Sequence, residues 1–507
     1  MPSAPAFDTE KYLNEQTEAI LDRMRTFDNK LYLEFGGKLV FDYHASRVLP
    51  GFDPNVKMRL LQKLKDQAEI VICIYAGDIE RRKTRADFGI SYDADAMKLI
   101  DNLGKDWGLQ VNSVVVTRYE DQPSVKLFVN RLERRGIKVY IHRATQGYPT
   151  NVDLIVSDEG YGSNPYIETS RPLVVITGPG PNSGKLGTSL SQLYHEHRRG
   201  VKAGYAKFES FPIWNLPLKH PVNVAYESAT ADLKDVNLID PFHLSAYGET
   251  AVNYNRDVEA FPLLKRILEK ISGDTSLYQS PTDMGVNRIG FAIVDDGAAR
   301  EAAKQEIIRR TLRYSCEYML GLGKKETVER AELIMQEVGA TLEDRPVVSH
   351  ARRAALEAAE DEEKGNAGVY CGAAIELADG SIVTGKNSPL LHAASAAVLN
   401  AVKYLAELPE KVHLISPSVI HSISDLKGEI RGAGAVTLDL EETLISLAAS
   451  ITSSSTAYLA VKKLKELKGC EMHVTHIPPP GDEAGLRDLG LNLTSDARFS
   501  SERLFQQ

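Results

Sequence analysis

Residues 171–200 read RPLVVITGPGPNSGKLGTSLSQLYHEHRRG. The apolar run PLVVIT (172–177) has the length and β-branched content of a buried strand. A glycine- and proline-rich loop follows, Gly178-Pro179-Gly180-Pro181-Asn182-Ser183-Gly184-Lys185. Then LGTSLSQLYHEHRRG (186–200) has helical spacing and closes on Gly200. In a strand–loop–helix unit of this kind, backbone N–H groups converge on phosphate oxygens at the helix N-terminus. Lys185 would reach a terminal phosphate. Gly178, Gly180, Asn182, Ser183 and Gly184 would shape the cradle, with Thr188 behind them. The spacing departs from the standard phosphate loop. Pro179 stands where a glycine is usual, and Leu186 where a Ser or Thr hydroxyl would hold magnesium. A plain turn joining strand to helix is the alternative.

The same alternation spreads outward. EIVICIYAG (69–77), VNSVVVTRY (111–119), KVYIHR (138–143), NVDLIVS (151–157) and VKAGYAKF (201–208) read as strands, and KLYLEFGGKLV (30–40) as strand, turn, strand. Residues 8–28, with Asp8 or Thr9 near the N-cap, read as a helix, as do 55–67, 93–104 and 123–135. Short buried runs between helices predict a doubly wound, mostly parallel α/β domain over 1–255. Residues 256–350 carry helical spacing and charged outer faces, which predicts a mainly helical domain. ARRAALEAAEDEEKGNAG (351–368) reads as an exposed helix and linker opening a C-terminal α/β domain, 351–507. There YCGAAIELADGSIVTGKNS places two strands around Asp379-Gly380, LLHAASAAVLNAVKYLAEL (390–408) is a helix and VHLISPS (412–418) a strand.

A chain of 507 residues, 43% hydrophobic and 25% charged, has room for about three cores. Its net charge of −9 argues against nucleic acid or an anionic membrane as partner, and leaves room for a local basic pocket. Cys73, Cys316, Cys371 and Cys470 form no CxxC pair, which predicts a reducing compartment without disulfides or a thiolate zinc site. The N-terminus lacks a signal-peptide layout, and no apolar run approaches ~20 residues. The expectation is a soluble cytoplasmic protein with a small-molecule partner, assembled as a homo-oligomer.

Other polar groups are candidates. His195, Glu196 and His197 invite comparison with zinc proteases, but the second histidine belongs four residues on, where Arg199 stands. Zinc is not expected. Lys38, Asp42, His44 and Arg47 lie near one strand end, and Asp158 and Glu159 in a glycine-bounded loop. These form a candidate pocket, with a local ion-pair network as the alternative. YNRDVEAFP (254–262) and SPTDMGVN (280–287), carrying Arg256, Asp257 and Asp283, are pocket-shaping segments without assigned roles. VNLID (236–240) and FAIVDD (291–296) are apolar runs that could each present a carboxylate to magnesium.

Three resemblances add to this. The helix after the loop, the strand VKAGYAKF and the polar stretch with Asp232, Asp235 and Asp240 resemble the dethiobiotin-synthetase type of phosphate-loop enzyme. That implies phosphate contact for Lys207 and a magnesium and substrate role for Asp232, so that Lys185, Lys207 and Asp232 become the catalytic candidates. CGAAIELADGSIVTGKNSPLLHAASAAVLNAVKYL is similar to cytidine-deaminase-like folds. His392-Ala393-Ala394 lacks their catalytic glutamate, and Pro417-Ser418-Val419-Ile420-His421 lacks both zinc cysteines. This implies the fold without deaminase chemistry, serving assembly or a ligand pocket. The segments KLYLEFGGKLVFDYHASRVLPGF, SDEGYG, RPLVVITGPGPNSGK, SQLYHEH, KAGYAKFESFPIWNLPLKHPVN and SPTDMGVN resemble a bacterial family of uncharacterised proteins, a domain of unknown function. Some of its members are labelled ATP-dependent zinc protease. The leading expectation is a nucleotide-dependent, ligase- or kinase-like enzyme. It would use ATP or another phosphorylated ligand, with magnesium open. The alternative is a non-catalytic, phosphate-ligand-binding regulatory oligomer. A zinc hydrolase comes third.

Overall fold

In the computed structural model, which describes residues 5–37, 39–85, 90–431 and 437–500, the Val- and Ile-rich runs form one six-stranded parallel sheet. Its strands are β1 (Leu31–Phe35), β2 (Ala68–Tyr75), β3 (Val111–Thr117), β4 (Lys138–Ile141), β5 (Leu173–Thr177) and β6 (Gly204–Phe208). They lie in the order β4-β3-β2-β5-β1-β6, with every neighbouring pair parallel. β1 and β5 are buried along their whole length, as parallel strands covered on both faces must be. Glu34 on β1 pairs with Ile176 on one side and Lys207 on the other, so β5, β1 and β6 end level. Whatever follows them gathers at one edge, where open α/β sheets bind ligands.

Buried polar pins hold this register. Glu69 on β2 accepts the N–H groups of Ser170 (2.6 Å) and Arg171 (2.7 Å), fixing the entry to β5. α1 (Thr9–Arg25) is capped by Asp8, which accepts from the Lys11 N–H. α2 (Lys185–Arg198) follows β5. Gln192, midway along it, exchanges hydrogen bonds with both backbone groups of Ile167 and donates to Tyr32 on β1. α3 (Asn255–Ser272) packs against α2.

The chain divides into two compact units between Ala303 and Lys304. The helical segment expected at 256–350 is therefore shared between them. The second unit has its own sheet, β7 (Gly372–Glu376), β8 (Ile382–Lys386), β9 (Glu471–Val474) and β10 (Asn492–Ser495), in the order β8-β7-β9-β10. The β7–β8 hairpin turns at Gly380, whose φ is 84°. α4 (Pro346–Ala359) buries Val347 and Ala351 against Ala374 of this sheet, while Val348 packs with Ile308, Leu312 and Ala340. α5 (Ala393–Leu405), α6 (Leu440–Ser450) and α7 (Pro480–Asp488) share a separate core with Ala373 and Ile375 of β7, on the face opposite Ala374 and α4.

Several local expectations need correction. NVDLIVS is not a strand: Asn151 caps a short helix, Val152–Ile155, by accepting from the Leu154 N–H. FAIVDD is a 3₁₀ turn followed by the start of a long helix at Asp296. VNLID contributes Asn237–Ile239 to a two-stranded ribbon with Val252–Tyr254, outside the main sheet. VHLISPS forms no strand, because Pro417 already opens a helix, Pro417–Arg431. The helix expected at the start of 351–368 is present as the end of α4, but it is not an exposed one, since Ala351, Ala354 and Ala358 are buried.

Candidate functional site

The glycine loop sits at the C-terminal edge of the first sheet, between β5 and α2. Gly178 approaches so closely that a Cβ there would lie 2.4 Å from the Cys73 carbonyl oxygen. Gly184 caps α2 at φ 93°, and a Cβ on it would meet Thr117 Oγ1 at 2.6 Å. Thr117 in turn donates to the Ser183 carbonyl at 2.7 Å, and Arg118 donates to the Asn182 carbonyl while lying over the Tyr75 ring. The loop's carbonyls are thus tied back to β3. Its donors are not. Among the described residues, nothing accepts from the backbone N–H groups of Gly180 or of Asn182 through Gly187. Ser183 Oγ is buried, faces Gly178 and has no hydrogen-bond partner among the described residues. Lys185 is half-buried at the first position of α2. Leu186 offers no hydroxyl, and Thr188 is buried with its Oγ1 3.4 Å from Cys73 Sγ.

Two strands away, about 10 Å across the sheet, lies a cavity of about 270 Å³. Lys207 on β6 projects into it between Asp257 of α3 (2.5 Å) and Glu209 (3.2 Å). Tyr254 donates to Glu209 at 2.9 Å and also contacts the ammonium. Glu34 accepts from Tyr205 at 2.9 Å. Burial opposes the Lys207 charge, but Asp257 and Glu209 outweigh it and hold the ammonium well above its usual range. It is a fixed cation, not a free amine. Burial, reinforced by Asp257 and Glu34 against the pull of Lys207, raises the Glu209 carboxyl. Arg23, Arg288, Asn253, Asp283 and Asn287 complete the polar wall. The segment 284–286 pairs with β6, the Lys207 N–H donating to Met284 and the Val286 N–H to Lys207.

The sequence candidates are placed unevenly. Asp257 and Asp283 line the cavity, whereas Arg256 forks the buried Asp235 at 2.6 and 2.8 Å. Asp232 is exposed on a 3₁₀ turn and does not line the cavity. Asp240 is buried, capping a helix at Phe242 and His243 and bonding Thr282. Asp42 caps the helix Tyr43–Val48 and pairs with buried Lys57 at 2.9 Å, while Ser210 donates to it at 3.3 Å. The His44 ring packs edge-on against Phe211, and Arg47 is half-buried on the same short helix. Lys38 lies outside the described residues. Asp158 accepts from Tyr194 (2.7 Å) and pairs with Arg198, and Glu159 beside it is exposed. That is the far end of α2 from the loop, about 14 Å along the axis. His195 donates to the Asn164 carbonyl and His197 to that of Ala203, and Glu196 takes Tyr32 and Tyr166. In the second unit His392 is half-buried, and His421 is exposed and bonded to the Pro417 carbonyl. Among the described residues no three His, Cys, Asp or Glu side chains are arranged to hold a metal ion, and no helix is long and apolar enough to cross a membrane.

Sequence reasoning missed Glu34, Glu209, Arg23 and Arg288, and reached Tyr254 only as the first residue of the pocket-shaping segment 254–262. Strand alternation carried part of the signal: Tyr205, Lys207 and Glu209 are spaced by two and share one face. Arg23 comes from α1, far away in sequence, and carries no local mark, whereas Arg288 directly follows the pocket-shaping segment 280–287.

The first unit is therefore an α/β protein with a glycine loop and a charged cavity on one edge of a parallel sheet. The chain belongs to the family described as "Domain of unknown function DUF1846", whose N-terminal model matches residues 5–339 and whose C-terminal model matches 343–505. It is similar to the UPF0371 protein of Clostridium botulinum (strain Langeland / NCTC 10281 / Type F), 57% identical over 500 residues, covering 98% of this chain and 99% of the relative. The UPF0371 protein of Clostridium tetani (strain Massachusetts / E88) is 55% identical over 499 residues, with the same coverage.

Proposed function

We propose that residues 178–187 bind the phosphate groups of a nucleotide or phosphometabolite, and that the cavity at Lys207 takes a small polar co-substrate. The observation that carries this reading is the run of backbone N–H groups from Asn182 to Gly187 that nothing accepts from among the described residues, backed by the Ser183 hydroxyl and the Lys185 charge. Such groups are costly to leave unmet unless water or an anion answers them. Lys185 would neutralise charge on a transferred phosphoryl group. Glu209, with its raised carboxyl, would take the proton of an attacking hydroxyl or amine. Lys207, paired on both sides, would hold Glu209 and the co-substrate in place. Asp232, exposed on its turn, is not required for this chemistry.

A specific observation favours a second reading, non-catalytic binding of a phosphorylated ligand. Leu186 has no hydroxyl, and Thr188 is turned to Cys73, so the loop lacks the usual magnesium ligand. Calorimetry with ATP and with pyrophosphate, each with and without magnesium, separates the two. The first reading expects magnesium-dependent ATP binding that Lys185→Ala weakens about tenfold or more, equivalent to one charge-assisted contact. Magnesium-independent binding without turnover supports the second. Absence of binding by the wild type to either probe contradicts both.

A further inference from the structure

The second unit holds a cavity of about 80 Å³ that the phosphate reading does not use. Three helices begin beside it: α5 after His392, α6 after Asp439 and α7 after Pro479. Asp482, in the first turn of α7, is buried. One of its oxygens accepts the Leu440 N–H at 2.8 Å, and the other lies 2.9 Å from His392 Nδ1. The opposite ring nitrogen, Nε2, lies 3.0 Å from Thr437 Oγ1. The backbone fixes this spacing, since the His392 N–H donates to the Leu438 carbonyl and the Leu438 N–H to that of Leu390, each at 3.0 Å. All three side chains line the cavity.

Carboxylate, imidazole and hydroxyl in this order form the arrangement that activates a hydroxyl nucleophile. The carboxylate holds Nδ1–H, which leaves Nε2 free to take the Oγ proton. Ala393 and Ala394, in the first turn of the 13-residue α5, also line the cavity. Among the described residues nothing accepts from their N–H groups, which makes them two donors for an oxyanion. The charged groups facing His392 are Asp482, Asp439 and Lys427, and Asp482 outweighs burial in raising the imidazole. Cys371 also lines the cavity, but burial and Asp482 push its thiol up to about 12, so it stays neutral at ordinary pH. Much of the remaining wall is apolar, including Val369, Leu391, Val474 and Ile477.

We propose that this cavity is an acyl-transfer site for small, uncharged esters or thioesters, with Thr437 as nucleophile, His392 as base and Asp482 as the group that orients it. Thr437 Oγ bonds to the carbonyl carbon as its proton passes to His392 Nε2. The N–H groups of Ala393 and Ala394 hold the oxyanion. The bond to the alcohol or thiol breaks, and His392 returns the proton to that leaving group. Water, activated by the same imidazole, then cleaves the threonyl ester, releasing a carboxylic acid and restoring the hydroxyl.

The test uses the full chain with p-nitrophenyl acetate. Turnover above buffer is expected, with kcat/KM reduced about 100-fold or more in Thr437→Val and His392→Gln, and kept in Thr437→Ser. Thermal unfolding shows whether each variant is folded. Acid-quenched wild type should carry an acetyl group on Thr437 by peptide mass mapping, a readout independent of any variant's folding. No turnover by the wild type, unchanged turnover in folded Thr437→Val, or acetyl on another residue overturns the proposal.

Discussion

His142, just past β4, is 3% exposed and faces the Pro165 carbonyl at 3.3 Å. Burial pushes its imidazole down to about 4, against the pull of that carbonyl. The folded chain therefore refuses a proton that the unfolded chain accepts near 6.5. The corresponding stability is fully present above pH 6.5 and is lost as pH falls towards 4, by about 3 kcal/mol. Urea midpoints from pH 7 to 4 should fall steeply in the wild type and less steeply in His142→Gln. The same scale decides the loop. Gly184→Ala would place a Cβ against Thr117 in a left-handed conformation, costing about 1–3 kcal/mol. Its measurable consequences are a lower urea midpoint and weaker pyrophosphate binding. The need for Gly184 was legible in the sequence as loop chemistry. The pairing of Glu209 with Lys207 was only half legible, because strand alternation gives the shared face but not the arrival of Asp257 and Tyr254 from α3 and its approach.

At the scale of elements, the strands that read clearly are those with sustained Val and Ile runs, β2, β3 and β5. NVDLIVS failed because four apolar residues suit a helix turn as well as a strand, and Asn151 decides by capping. VHLISPS failed for a similar reason, with Pro417 favouring a helix start. α4 was misread as exposed because its alanines pack without looking hydrophobic. Arg345, at its N-cap, is fully buried and bonded to Glu471 (2.7 Å), Thr494 Oγ1 (3.1 Å) and the Asn492 carbonyl (3.2 Å). Cutting one partner from a buried pair typically costs about 3–5 kcal/mol. Arg345→Ala should accordingly lower the denaturation midpoint of the second unit, read by calorimetry.

At the scale of the whole molecule, each unit has its own sheet and its own buried residues. Scanning calorimetry should resolve two transitions, with Arg345→Ala shifting one of them. The α/β alternation was legible across most of the chain. The point of division, between Ala303 and Lys304, falls inside the helix Asp296–Met319. The central claim is that the glycine loop of the first unit is an anion cradle. A crystal structure of the full chain grown with pyrophosphate tests it most directly. The account predicts phosphate oxygens about 2.7–3.2 Å from the backbone nitrogens of residues 183–187, with Lys185 Nζ on a terminal oxygen. Pyrophosphate bound elsewhere, or a loop left empty at saturating pyrophosphate, would contradict it.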